Sequence, residues 1–139
     1  NLLYQRGLAN IQIRKPDAAR DDFRLAIKLK ADHLAAHVAL CNLTNETRGR
    51  DEALVAYNQA VAAVPTSALL LNNRGMHFHA MGRDRESIAD LTAALKQDPK
   101  FLPALVNRGF VFMQMRRADD AEKDLTAAIE LNPSSAQAY

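Results

Sequence analysis

Residues 68–101 read ALLLNNRGMHFHAMGRDRESIADLTAALKQDPKF, and residues 102–135 read LPALVNRGFVFMQMRRADDAEKDLTAAIELNPSS. Set one above the other, the two stretches agree at Leu71 and Leu105, Asn73 and Asn107, and Arg74 and Arg108. They agree again at Gly75 and Gly109, Phe78 and Phe112, Asp90 and Asp124, and Pro99 and Pro133. The step is 34 residues, and it extends outward to the whole chain. Small residues fall at Gly7, Cys41, Gly75 and Gly109, and again at Ala19, Ala53, Ser87 and Ala121. A third small series runs Ala26, Ala60, Ala94, Ala128, and a larger apolar slot runs Phe23, Tyr57, Leu91, Leu125. Pro65 completes the proline series. Periodicity of this length means an array of supersecondary units.

Each unit reads as two helices. Leu69–Ala80 has helical apolar spacing at Leu71, Gly75 and Phe78, and Arg85–Lys96 places Ile88, Leu91 and Leu95 on one stripe. Between them, Gly82 suits a left-handed helix stop and Asp84 suits a cap for the next helix. The same arrangement recurs at residues 48–51 and 116–119, and Ser67 and Ser135 are candidate caps after the prolines. The second helix ends before Asp98-Pro99, since a residue preceding proline avoids helical angles. Alternating β-branched runs are missing, so no strand is expected. Antiparallel helices approach closely only at small side chains, so Gly75 and Gly109 are expected to face Ala94 and Ala128, with Phe78 and Phe112 near the turn. One hairpin cannot bury its apolar face alone, but stacked hairpins can.

The order of glycine, aromatic, alanine, aromatic, alanine and proline at this period resembles the tetratricopeptide repeat family. The resemblance spans the chain as units 1–33, 34–67, 68–101 and 102–135, with 136–139 opening a fifth. The chain thus reads as a single domain and as part of a longer array. It implies an all-α, right-handed superhelical solenoid of helix–turn–helix hairpins. Its bulky first-helix slot holds Leu3, His37, Leu71 and Leu105. The second unit departs most, with His37, Cys41 and Thr44 at slots usually bulky, glycine and aromatic; the first has Asn10 in the aromatic slot and Ala31 in the proline slot.

Three units carry arginine before the small slot (Arg6, Arg74, Arg108) and aspartate before the larger slot of the second helix (Asp22, Asp90, Asp124). The second unit has Leu40 and Ala56 at these two places. Presence and absence match within units, which predicts structural ion pairs Arg6–Asp22, Arg74–Asp90 and Arg108–Asp124.

The remaining features exclude more than they suggest. Apolar residues make up 48% of the chain, enough to offset chain entropy, so disorder is not expected. Eighteen basic and sixteen acidic side chains are interleaved, which argues against nucleic acid as a partner. No apolar run reaches the roughly 20 residues of a membrane helix, so direct insertion is not expected. One cysteine, Cys41, forbids an internal disulfide; compartment stays open, with the cytoplasm favoured over a periplasmic or membrane-associated place. No nucleotide-binding, nucleophile-elbow or metalloprotease motif occurs, so neither an enzyme nor a cofactor is expected. His33 and His37 are four apart on one expected helical face, but lack an accompanying carboxylate, so no metal site is expected. His77 and His79 point apart. Cys41 reads as a small core residue.

By resemblance, the first helices line a concave, peptide-binding groove. Its lining here would be Tyr4, Gln5, Leu8, Ile11 and Gln12, then Val38, Asn42, Asn45 and Glu46. Asn72, Asn73, Met76 and His79 follow, and then Val106, Asn107, Phe110, Met113 and Gln114. This surface is apolar with amides and almost uncharged; amides serve as donor and acceptor for a peptide backbone, and methionine adapts to varied side chains. Asn73 and Asn107 resemble the asparagine ladder of superhelical members. Chaperone-tail binders place basic residues where this chain has Val38, Pro103 and Asn107, so an acidic tail is not the expected ligand. The expected function is a non-catalytic protein–protein interaction scaffold that holds a peptide or partner segment. The alternative is a structural array that self-associates as a homo-oligomer through exposed repeat ends.

Overall fold

The computed structural model describes residues 1–134, so the Ser135 cap and the fifth unit expected at 136–139 lie outside the described residues. Among the described residues eight helices follow one another: α1 (Leu2–Gln12), α2 (Pro16–Leu29), α3 (Leu34–Arg48), α4 (Arg50–Ala63), α5 (Ala68–Ala80), α6 (Asp84–Gln97), α7 (Leu102–Gln114) and α8 (Ala118–Leu131). The described residues contain no strand, and the fold class is all-α. Two compact units divide the chain, Asn1–Pro65 and the residues from Thr66 onward. In the first, α1 pairs with α2, α3 pairs with α4, and α2 packs on α3. In the second, α5 pairs with α6, α7 pairs with α8, α6 packs on α7, and α5 also meets α7.

The turns set the register of every hairpin. In three hairpins two residues follow the first helix before the next N-cap, and Arg14, Gly82 and Arg116 take left-handed φ values of 57°, 74° and 59°. The second hairpin differs. Helix α3 runs through Arg48, and Gly49 alone connects it to α4, with φ 93° and ψ −180°. That region is open essentially to glycine only. The expected Asp84 cap is not made. With Gly82 in the left-handed conformation the N-cap falls on Arg83, whose side chain makes no cap bond, and Asp84 becomes the first helical residue. Asp51, Asp84 and Asp119 all sit in first turns, where the helix dipole favours them. Ser67 does cap α5, accepting a bond from Leu70 N at 3.2 Å.

The close approach is at the glycines, against partners other than those expected. A Cβ on Gly75 would meet Leu91, Ser87 and Asp90, and one on Gly109 would meet Leu125 and the Ala121 carbonyl. Ala94 and Ala128 lie further from the turn than this register reaches. A glycine two turns before the bend meets residues about two turns after it. In the first hairpin a Cβ on Gly7 would come within 2.5 Å of Phe23 Cε1, and Phe23 is fully buried. Phe23, Ala19 and Leu43 form a core on which Tyr4, Leu8, Ala39 and Leu40 pack. Phe78 and Phe112 are buried beside their turns, and Arg83 and Arg117 cover their rings at 4.7 and 4.6 Å.

Beside each glycine an arginine on the first helix meets an aspartate on the second. Arg6 Nε donates to both Asp22 oxygens at 3.0 Å, and Asn10 adds a bond at 2.9 Å. Arg74 binds Asp90 through Nε at 2.6 Å and Nη2 at 2.8 Å, and Arg108 binds Asp124 through the same two atoms at 2.7 Å each. These bidentate pairs are charge-assisted and directional. The three carboxylates are buried; the Arg6 side chain is 65% exposed, whereas those of Arg74 and Arg108 are 20% exposed. The Arg6 hydrogen bond holds the Asp22 carboxyl below the usual aspartate range.

Substitutions at these contacts have ordered outcomes in urea unfolding. Gly7→Ala must displace a buried ring and is expected to cost about 1–3 kcal/mol. Gly49→Ala meets no atom within 4 Å, yet is expected to cost about 1–3 kcal/mol from backbone strain alone, against about 1 kcal/mol for Gly82→Ala. Arg108→Leu leaves Asp124 buried without its guanidinium and is expected to cost about 2–3 kcal/mol. Adding Asp124→Ala, which copies the Leu40 and Ala56 of the second hairpin, should recover about 1–2 kcal/mol of the sum of the singles.

Candidate binding surface

In the second unit α5 and α7 lie against each other and present a shared wall. Phe110 and Met113, one turn apart on α7, are 43% and 57% exposed. Exposed aromatic and methionine side chains on one helical face are the usual material of an anchor patch. His79 on α5 turns its ring edge-on to Phe110 at 5.5 Å. Its Nδ1 reaches Asp84 Oδ1 at 2.7 Å across the turn, which fixes the ring. Met76, Val106, Asn73 and Asn107 are partly exposed between these, and Gln114 is exposed.

The asparagines form a chain of amides. Asn107 Nδ2 donates to Asn72 Oδ1 at 2.9 Å, and Asn72 Nδ2 donates to Asn73 Oδ1 at 3.2 Å. Asn72 is 6% exposed, so it does not line a groove as expected. It lies on the side of α5 that meets α7, and its amide is spent on its two neighbours. The chain leaves Asn73 Nδ2 and Asn107 Oδ1, one donor and one acceptor, without a partner among the described residues.

The first unit distributes its candidates differently. Tyr4 and Leu8 pack inward on the Phe23 core, and the Tyr4 ring also meets that of His33 at 5.4 Å. Gln5, Ile11, Gln12, Asn42, Asn45 and Glu46 are exposed, and Val38 is partly so. Asn42 Oδ1 is 3.5 Å from the Tyr57 hydroxyl.

The side chains of His33, His37 and Cys41 are engaged within the fold. His33 is the N-cap of α3 rather than a member of its face, and its Nδ1 accepts from Ala36 N at 3.3 Å. His37 is buried with Nε2 bonded to the Ala31 carbonyl at 2.7 Å. Among the described residues no three His, Cys, Asp or Glu side chains group so as to hold a metal ion. Burial pushes the Cys41 thiol up to about 12, so it stays protonated at neutral pH, and burial likewise raises Tyr57 to about 12. No described helix is long and apolar enough to cross a membrane.

Sequence reasoning passes over three features. Arg20 on α2 is buried and joins Asp17 on its own helix to Thr47 on α3. Nothing at its repeat positions signals this, since Leu54, Ile88 and Glu122 stand there. The Arg83 and Arg117 caps over Phe78 and Phe112 do carry a signal, being 34 residues apart. The Asn72 bridge is signalled only by the Asn72-Asn73 doublet next to the recurring Asn107.

The tetratricopeptide repeat family model matches residues 1–33 and 102–135. No curated protein matches the chain. Among solved structures it is similar to MamA, at 20% identity and a TM-score of 0.79 over 97% of this chain and 79% of that one. A tetratricopeptide repeat protein from Parabacteroides merdae ATCC 43184 is 20% identical with a TM-score of 0.81, covering 94% of this chain and 52% of that one. The second tetratricopeptide repeat domain of Spaghetti (RPAP3), bound to the HSP90 peptide SRMEEVD, is 21% identical with a TM-score of 0.67 over 74% of this chain and 96% of that one. At these identities the likeness is one of fold. Helix pairs repeating every 34 residues, a family match at residues 1–33 and 102–135 and solved structures of the same fold make the chain similar to the tetratricopeptide repeat family.

Proposed function

We propose that this chain is a non-catalytic scaffold that holds a peptide or partner segment on the wall of its first helices. The observation that carries the reading is the exposed Phe110–Met113 pair beside an amide chain with a donor and an acceptor to spare. Apolar anchors supply affinity in such a surface, and amides set the register of a bound backbone. Met76 and His79 flank the anchors. The Spaghetti (RPAP3) domain, bound to an HSP90 peptide, supports peptide seating by this fold. The wall here is nearly uncharged, so the ligand's recognition elements are apolar side chains and backbone rather than an acidic tail. The partner is a protein or peptide, and no cofactor takes part.

A peptide library selected on the wild-type chain tests this, with affinities read by fluorescence anisotropy. Phe110→Ala should weaken the selected peptides about tenfold or more, and Asn73→Ala with Asn107→Ala should weaken them further. Affinity should change little with added salt, since no charge pair is involved. Equal binding by the triple variant, with its fold checked by circular dichroism, would contradict the reading. Selection of no peptide, together with a concentration-dependent mass in light scattering, would favour the self-associating array.

A further inference from the structure

The second hairpin has its two short side chains, Leu40 and Ala56, where the others carry arginine and aspartate. Both line two hollows between α2, α3 and α4. The larger is about 260 Å³, with Ile27, Leu40, Ala56 and Ala63 as apolar wall and Arg24 and Gln59 as polar groups. His37 also borders it, but its Nε2 is committed to the Ala31 carbonyl. The smaller, about 200 Å³, shares Arg24, Leu40, Ala56 and Gln59 and has Glu52 on its border. Among the described residues no carboxylate lines the larger one.

Arg24 gives the hollow its meaning. In the second unit, Arg108 binds Asp124 and also donates to Thr92 on the preceding helix at 3.1 Å. Arg24 occupies the repeat position of Thr92. Between α2 and α3 the cation has therefore moved to the preceding helix, and the carboxylate it would meet has been replaced by Ala56. Arg24 is exposed and makes no hydrogen bond or ion pair among the described residues. A cavity of about 150 Å³ already accepts a benzene ring, so the larger hollow has room for a branched aliphatic side chain.

We propose that this hollow is a binding site separate from the first-helix wall, and that it takes the C-terminal residue of a partner peptide ending in a leucine-like side chain. The side chain rests on Leu40 and Ala56. The terminal carboxylate accepts from the Arg24 guanidinium and the Gln59 amide, supplying the charge that the second hairpin lacks. An amine of the same shape finds no acid in the larger hollow.

The test follows the methyl carbon–proton shifts of Leu40, Val55 and Ala56 by NMR. The probes are 4-methylpentanoate, 4-methylpentylamine, and the peptide acetyl-Gly-Ser-Gly-Leu as free acid and as amide. Both carboxylates should give saturable shifts, with the amine and the amide weaker by tenfold or more. Arg24→Gln should weaken the acids about tenfold to a hundredfold, the usual range for losing a charged hydrogen-bond partner. Ala56→Asp should abolish binding by giving Arg24 an internal carboxylate. Ala56→Leu, which fills the hollow without a charge, serves if the aspartate variant does not fold. Equal binding of acid and amide, or acids unaffected by Arg24→Gln, would overturn the proposal. Binding of 4-methylpentanoate without the peptide acid would overturn the peptide as occupant.

Discussion

Two antiparallel helices come close only where one of them gives up a side chain, and here that happens at Gly7, Gly75 and Gly109. Everything else in the hairpins follows from that approach. The missing Cβ lets Phe23, Leu91 or Leu125 seat against the opposing backbone. It also brings the neighbouring arginine within reach of a buried aspartate on the second helix. Such pairs fix geometry more surely than they add net stability, because desolvation offsets much of the attraction. They make the first, third and fourth hairpins defined units, with the turn closed by an arginine over a phenylalanine in the third and fourth.

The second hairpin meets the same constraint in another way. Cys41 keeps its Cβ in the small slot, and the arginine–aspartate pair is missing. Its first helix runs two residues further toward the turn than those of its fellows, and the chain then reverses through Gly49 in a conformation closed to other residues. Its first helix is joined to the first hairpin by the packing of Leu43 on Ala19 and Phe23 and by Arg20, which reaches Thr47. The hollows around Leu40 and Ala56 are the spatial remainder of this substitution.

The helix pairs were legible in the sequence because each repeat solves one packing problem with one set of residue sizes. Small, large and proline slots recur visibly, so element type and order follow from Gly75, Leu91 and Pro99 and their counterparts. Which residue faces which was less legible. Gly75 meets Leu91 and Ser87 rather than Ala94, because the offset depends on the length of the turn, and a turn of one residue or three leaves the slots unchanged. The burial of Asn72 was hidden for a related reason: helical spacing separates faces but does not say which face a neighbouring helix will cover. Asp84 reads as a cap in the sequence because a capping residue and a first-turn acid occupy adjacent positions and share composition. The hollow beside Arg24 left no positive trace at all, since it consists of atoms that Leu40 and Ala56 do not have.

Native-state hydrogen exchange tests most directly whether the glycine-centred, ion-paired approach governs how firmly each hairpin is closed. The comparison is between the amides of α3 and α4, which lack the pair, and those of α5 and α6, which have it. The account predicts that α3–α4 amides open at a lower free energy than those of α5–α6, and that Arg74→Leu with Asp90→Ala brings α5–α6 down toward them. Equal protection of the two hairpins in the wild type, unmoved by that double substitution, would contradict it.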